Sequence, residues 1–187
     1  MRPRYLLLIA LAIVLGDQWT KYLVKTQMQL GQTIPLLGKY LGLTYIHNMG
    51  GAFGVFQGKQ WLFLITGWGV TAALIVYLPK IAKMHWVSAV SYALILGGAI
   101  GNLLDRSRYS YVVDFVEVGL PGPWGHNFTW VNTFPCFNVA DSGITVGITV
   151  LLIASILIPE KKEEPPLPEP AEAASESAEP VALPQTT

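Results

Sequence analysis

The chain has 187 residues, of which 52% are hydrophobic and only 13% charged, about half the charged fraction of an ordinary soluble domain. Twelve basic and twelve acidic residues cancel over the whole length, but they are segregated: residues 1–158 hold ten Lys/Arg against five acids, and residues 159–187 hold Lys161 and Lys162 against seven Glu. That balance excludes a soluble globular enzyme, and the lone Cys136 excludes an intrachain disulfide or a cysteine-based metal site.

Four apolar segments follow one another along the chain. They are "YLLLIALAIVLGDQWTKYLV" (5–24), "WLFLITGWGVTAALIVYL" (61–78), "WVSAVSYALILGGAIGNLL" (86–104) and the run from Asp141 to Ile158. Each approaches the roughly 20 residues needed to cross the hydrocarbon core. Tyr22, Trp61, Tyr77 and Trp86 lie near segment ends, where interfacial aromatics belong. Arg2 and Arg4 precede the first run, as in a secretory signal, but no A-x-A-like cleavage site follows and "GDQWTKYLV" continues the helix, so it reads as a retained span. Four spans consume most of the length and leave no room for a separate soluble catalytic domain. Residues 159–187 are rich in Glu, Pro and Ala; such a segment cannot bury enough apolar surface to fold and reads as a disordered tail.

Basic residues set the orientation. Arg2, Arg4, Lys80, Lys83, Lys161 and Lys162 flank one side, and Lys21, Lys25, Lys39, Lys59, Arg106 and Arg108 the other. The count is even. The short, basic 79–85 loop and the arginines abutting the first span place both termini in the cytoplasm, with residues 25–60 and 105–138 outside.

On this topology the four aspartates, Asp17, Asp105, Asp114 and Asp141, all reach one side of the membrane, with Asn48, Asn102, Arg106 and Asn138. Ionisable groups in spans are functional candidates. Asn102 stands three residues before Asp105 and four before Arg106, and Asn138 three before Asp141, so each set shares a helix face. Asn offers both donors and an acceptor to a carboxylate or a substrate carbonyl. Gly97, Gly98 and Gly101 permit close helix approach. Each residue also has a plainer reading. Asp17 can simply pair with Lys21, Asp105 can anchor the interface with Arg106 or Arg108, Asp141 can serve only as an N-cap, and Asp114 in "YVVDFVEV" can be a strand-edge carboxylate in water. Cys136 reads as a small apolar residue. His47, His85 and His126 show no metal-ligand spacing, and Ser142 has neither triad partners nor a G-x-S-x-G frame. The placement on one side tips the balance toward chemistry. Two carboxylates held together share a proton; the ionised one activates water and the protonated one polarises a carbonyl. A proton-coupled transporter would place its acids near the midplane of paired, broken helices, and an assembly protein would leave the Asn-x-x-Asp pattern without a use.

The blocks "DQWTK" (17–21), "NMGGAF" (48–53), "GGAIGNLLDR" (97–106), "VVDF" (112–115) and "FNVADSGITVG" (137–147) resemble, in order and spacing over residues 5–158, bacterial lipoprotein signal peptidase, signal peptidase II. The family usually has Ala where this chain has Gly51, and the 119–135 loop is long for it; the tail lies outside the pattern. The resemblance implies an all-α membrane protein of four transmembrane helices with a small extracytoplasmic β-sheet cradle, to which "LGLTYIHN" (41–48) and "GAFGVF" (51–56) would supply strands. It implies an intramembrane aspartyl endopeptidase that cuts diacylglyceryl-modified prolipoproteins just before the lipidated cysteine. Asp114 and Asp141 would be the catalytic pair. Asn48, Gly50, Asn102, Arg106 and Asn138 would hold the substrate and order the site, with Asp17 and Asp105 as supporting carboxylates. No metal or other cofactor is implied, and no nucleic acid. The partners would be prolipoproteins and membrane lipids, and the protein would work as a monomer in the cytoplasmic membrane with its site on the extracytoplasmic side.

Overall fold

The computed structural model describes residues 1–38, 40–50, 59–119 and 133–158. They form four helices, α1 (Pro3–Gln27), α2 (Gln60–Ile81), α3 (Trp86–Tyr109) and α4 (Val139–Leu157), and four strands, β1 (Thr33–Leu37), β2 (Leu41–Asn48), β3 (Val112–Gly119) and β4 (Thr133–Phe137). All four helices are long and apolar enough to cross a membrane. Their outward faces carry exposed Leu7, Leu8, Leu11 and Leu15 on α1, Ile75 and Val76 on α2, and Leu152, Ile153 and Ile156 on α4, the belt that hydrocarbon, rather than water, would cover. The expected strand at 41–48 is β2. The stretch 51–56, Gly51, the greater part of the 119–135 loop and the 159–187 tail lie outside the described residues.

Helices run past the apolar windows because hydropathy marks only the part that meets hydrocarbon, while polar residues continue the hydrogen-bond ladder into the interface. Thus α3 extends to Tyr109 and carries Asp105, Arg106 and Arg108 in its closing turns. It stops at Ser110, whose left-handed backbone (φ 62°) lets its N–H return to the Arg106 carbonyl, the familiar way of satisfying a last-turn carbonyl. The fourth helix begins at Val139, two residues before Asp141.

Helix α3 is the hub, packed against α4, α1 and α2. Two glycines make this possible. A Cβ on Gly98 would collide with the Ala140 carbonyl oxygen of α4, and one on Gly101 would lie 2.7 Å from Oδ2 of Asp17 on α1. Close helix approach of this kind replaces the hydrophobic driving force that helices lack within lipid. One apolar cluster, Leu6, Leu78, Ile81, Ala82, Ala89 and Ala93, closes one end of the bundle. The other end is closed by Val24, Met28, Tyr45, Val113 and Phe115, where the sheet sits. The sheet is antiparallel in the order β1-β2-β3-β4. Strand β3 is therefore interior, flanked by β2 and β4, and Val112 to Phe115 are buried. Asp114 is not the edge carboxylate in water that the sequence allowed: it stands opposite Ile46 of β2 and is fully buried.

Candidate active site

The site lies where the closing turns of α3, the first turn of α4, the start of β3 and the end of β2 converge. Asn138 is the N-cap of α4. Its Oδ1 accepts the Asp141 N–H at 2.9 Å, and Asp141 Oδ2 accepts the Asn138 backbone N–H at 3.2 Å, a reciprocal capping box. The reading of Asp141 as a bare N-cap is corrected here. It sits at the third helical position, because Asn138 already holds the extended backbone that a cap requires, and its other oxygen is free to point into the site.

That oxygen, Oδ1, accepts from Asn102 Nδ2 at 2.7 Å. Asn102 Oδ1 in turn accepts from Asn138 Nδ2 at 3.1 Å, and Asn138 Nδ2 also reaches Asp114 Oδ1 at 2.7 Å and the Val113 carbonyl at 3.3 Å. Asp114 Oδ2 accepts from Asn48 Nδ2 at 2.8 Å, while Asn48 Oδ1 is held by the Gly50 N–H at 3.0 Å. Two carboxylates are thus joined through two side-chain amides. The pairing is crosswise: Asn102 serves Asp141 on α4 rather than Asp105 on its own helix, and the Asn138 amide serves Asp114 on β3. Asp114 is fully buried, whereas Asp141 is half-buried. Burial, and then the nearby Asp141 charge, push the Asp114 carboxyl up from its ordinary 3.8 to about 7, against the lowering effect of the Asn48 and Asn138 donors.

A second layer fixes the first. Lys21 is buried on α1 and its Nζ lies 2.8 Å from Asp17 Oδ2, 3.0 Å from Asp105 Oδ2 and 3.2 Å from Asn102 Oδ1. All three ammonium protons are used. With its oxygen occupied by Lys21 and Asn138, Asn102 has its amide nitrogen directed at Asp141. Asp17 Oδ1 accepts the Ala140 N–H of α4 at 2.9 Å, and Asp105 Oδ2 accepts the Val113 N–H of β3 at 3.0 Å. These two carboxylates therefore pin the elements that carry Asp141 and Asp114. Gln18 Nε2 joins them, 3.2 Å from Asp17 and 3.0 Å from Asp105.

Arg106 donates through a terminal nitrogen to the Gly50 carbonyl at 3.2 Å, and its guanidinium carbon stands 4.8 Å from the Phe63 ring centroid. Its Nε is buried and has no acceptor among the described residues. The structure brings all nine candidate residues into one connected region. Sequence reasoning missed Lys21 as a hub, seeing only its pairing with Asp17, and missed Gln18. The signal was present in "DQWTK": a lysine one turn from an aspartate inside a span is too costly to leave unpaired. Burial together with Glu117 and Asp114 pushes the half-buried Cys136 thiol up to about 12, which suits a packing residue and not a nucleophile. Among the described residues no group of three His, Cys, Asp or Glu side chains is arranged to hold a metal ion.

Known proteins resemble this chain over most of its length. The family model for signal peptidase (SPase) II matches residues 9–157. The lipoprotein signal peptidase of Halalkalibacterium halodurans is 46% identical over 149 residues, covering 80% of this chain and 90% of that protein. The lipoprotein signal peptidase of Bacillus subtilis is 37% identical over 158 residues, covering 84% and 96%. A bacterial membrane enzyme solved by the in meso method at 2.3 Å resolution superposes with a TM-score of 0.72 at 32% identity, covering 86% of this chain and 93% of that one.

Proposed function

The chain belongs to the signal peptidase II family, and we propose that it is an aspartyl endopeptidase that removes the signal peptide from diacylglyceryl-modified prolipoproteins by cutting just before the lipidated cysteine. The observation that carries this reading is the Asp114–Asn138–Asn102–Asp141 chain of hydrogen bonds. It holds two carboxyl groups in one network, one fully buried and one half-buried, at the end of a membrane-length bundle.

The two carboxyls share a proton. Burial assigns it to Asp114, whose carboxyl is raised to about 7. Asp141 receives N–H donors on both oxygens and stands in the first turn of α4, where the helix dipole favours an anion. Asp141 acts as general base on a water molecule, which attacks the scissile carbonyl. Asp114 donates its proton to the carbonyl oxygen to give a gem-diol; as this collapses, the proton gained by Asp141 passes to the leaving amine and Asp114 takes back a proton from a gem-diol hydroxyl, restoring the starting pair. Asn48, Gly50, Asn102, Arg106 and Asn138 hold the substrate backbone and order the pair; Asp17 and Asp105 keep α4 and β3 in place. Both termini lie in the cytoplasm and the site opens on the extracytoplasmic side, at the depth where a lipidated cysteine presents its peptide bond while its acyl chains stay in the bilayer. The protein works as a monomer on prolipoprotein substrates and takes no cofactor.

The experiment is cleavage of a diacylglyceryl prolipoprotein by purified protein, with Asp114→Asn and Asp141→Asn as controls. The wild type releases the signal peptide; each variant inserts normally and loses turnover by at least two orders of magnitude. A variant retaining wild-type rates would remove its carboxylate from the catalytic pair.

A further inference from the structure

All the described carboxylates belong to the half of the bundle that holds the site and sheet. The opposite end, where α1 begins, α2 ends and α3 begins, presents Arg2, Arg4, Lys80 and Lys83, all exposed. None of the four forms an ion pair among the described residues, whose salt bridges both involve Lys21. The terminal amino group donates to the Ala82 carbonyl at 2.6 Å, which draws Arg2 and Arg4 to the turn between α2 and α3. Beside that turn is a groove of about 470 Å³ walled by Leu74, Tyr77, Ile81, Met84 and Tyr92, with Lys80 among its walls. Lys80 Nζ lies 5.3 Å from the Tyr77 ring centroid.

A groove with apolar walls on a membrane helix pair meets acyl chains, and an ammonium at a helix end reaches the phosphate level of the headgroups. A zwitterionic headgroup brings its own cation to a surface that already carries four. An anionic headgroup brings none. We propose that this groove binds one anionic phospholipid, an acyl chain lying against Leu74, Ile81 and Tyr92 and the phosphate held by Lys80 with Lys83. The site is independent of peptide cleavage and lies at the far end of the bundle from Asp114 and Asp141.

Native mass spectrometry of the full chain, released from bilayers of phosphatidylcholine containing increasing phosphatidylglycerol, tests it. One phosphatidylglycerol is retained, saturably and at least tenfold more tightly than phosphatidylcholine. Lys80→Gln weakens retention about fivefold, as expected for loss of one cation at the headgroup level. Ala73→Trp, which fills the groove from its exposed wall without changing charge, weakens it at least as much. Lys59→Gln, just before α2 at the other end, leaves it unchanged. Equal retention of the two lipids, or retention indifferent to both Lys80→Gln and Ala73→Trp, overturns the proposal. Carbodiimide coupling of Lys80 to a glutamate of residues 159–187, in protein that retains no phosphatidylglycerol, would assign the basic end to the chain's own tail and overturn it too.

Discussion

Asp114 and Asp141 are the same residue type in one hydrogen-bond network, yet their surroundings differ. Asp114 is fully buried in β3 opposite Ile46 of β2, and Asp141 stands at a helix start with part of its surface open. With the Asp114 carboxyl raised to about 7, it keeps its proton below that pH and loses it above. If it serves as the acid, kcat/KM for a lipidated substrate is flat on the acid side of neutrality and falls as pH rises through about 7; a rate still climbing at pH 9 would give the acid role to another group. The same shift has a stability consequence. The folded chain binds a proton that the unfolded chain, titrating near 3.8, releases, so this contribution is full below about 3.8 and is lost as pH rises through about 7. Arg106 makes a second residue-scale case. One terminal nitrogen of its planar fork holds the Gly50 carbonyl and its Nε has no acceptor among the described residues, and an ammonium cannot reproduce that geometry. Arg106→Lys should preserve insertion and lower turnover tenfold or more, about 1.4 kcal/mol of transition-state stabilisation. Arg108, exposed and donating to Gln18 at 3.3 Å, should tolerate Lys with little change. Equal, wild-type rates for the two variants would make Arg106 a simple interfacial anchor.

Among elements, the contact of α3 with α4 decides whether the carboxylates meet at all. Gly98 abuts the Ala140 carbonyl and Ile144, and Ala140 is also the residue whose N–H is held by Asp17. A side chain at Gly98 therefore pushes on the very turn that carries Asp141. Helix backbone cannot yield there as a flexible side chain would, so Gly98→Val should cost about 1–3 kcal/mol by overpacking and depress turnover even where protein is still folded. The check is urea or thermal unfolding in detergent alongside cleavage of the prolipoprotein; Gly69→Val, at a position with open space, is the matched control. A Gly98→Val protein as stable and active as that control would show that α4 can shift without disturbing the pair.

For the whole molecule, the family match ends at residue 157, at the last residue of α4, and the acidic segment begins directly after it. Ending the chain after residue 162 should leave insertion and cleavage intact, measured by membrane yield and turnover; loss of folded protein would show that the segment packs on the bundle. A carboxylate pair that activates water by proton transfer also requires no metal. Turnover should survive EDTA, and a loss that zinc restores would sink the carboxylate mechanism.

Much of this was legible in the sequence for a definite physical reason. Hydrocarbon tolerates so few polar groups that four apolar runs and a handful of Asp, Asn and Arg residues mark the spans and the candidate site directly. The block "LGLTYIHN", taken with the family resemblance, was enough to place β2. What the sequence could not decide was pairing across elements. Spacing put Asn102 beside Asp105 and Asn138 beside Asp141, as neighbours on one helix. Only the packing of α3 on α4 through Gly98, and the seating of β3 between β2 and β4, turned Asn102 toward Asp141 and Asn138 toward Asp114. The burial that separates Asp114 from Asp141, and the position of Lys21 among three acceptors from two helices, have the same origin: they depend on which surfaces meet in three dimensions, and local periodicity carries no record of that.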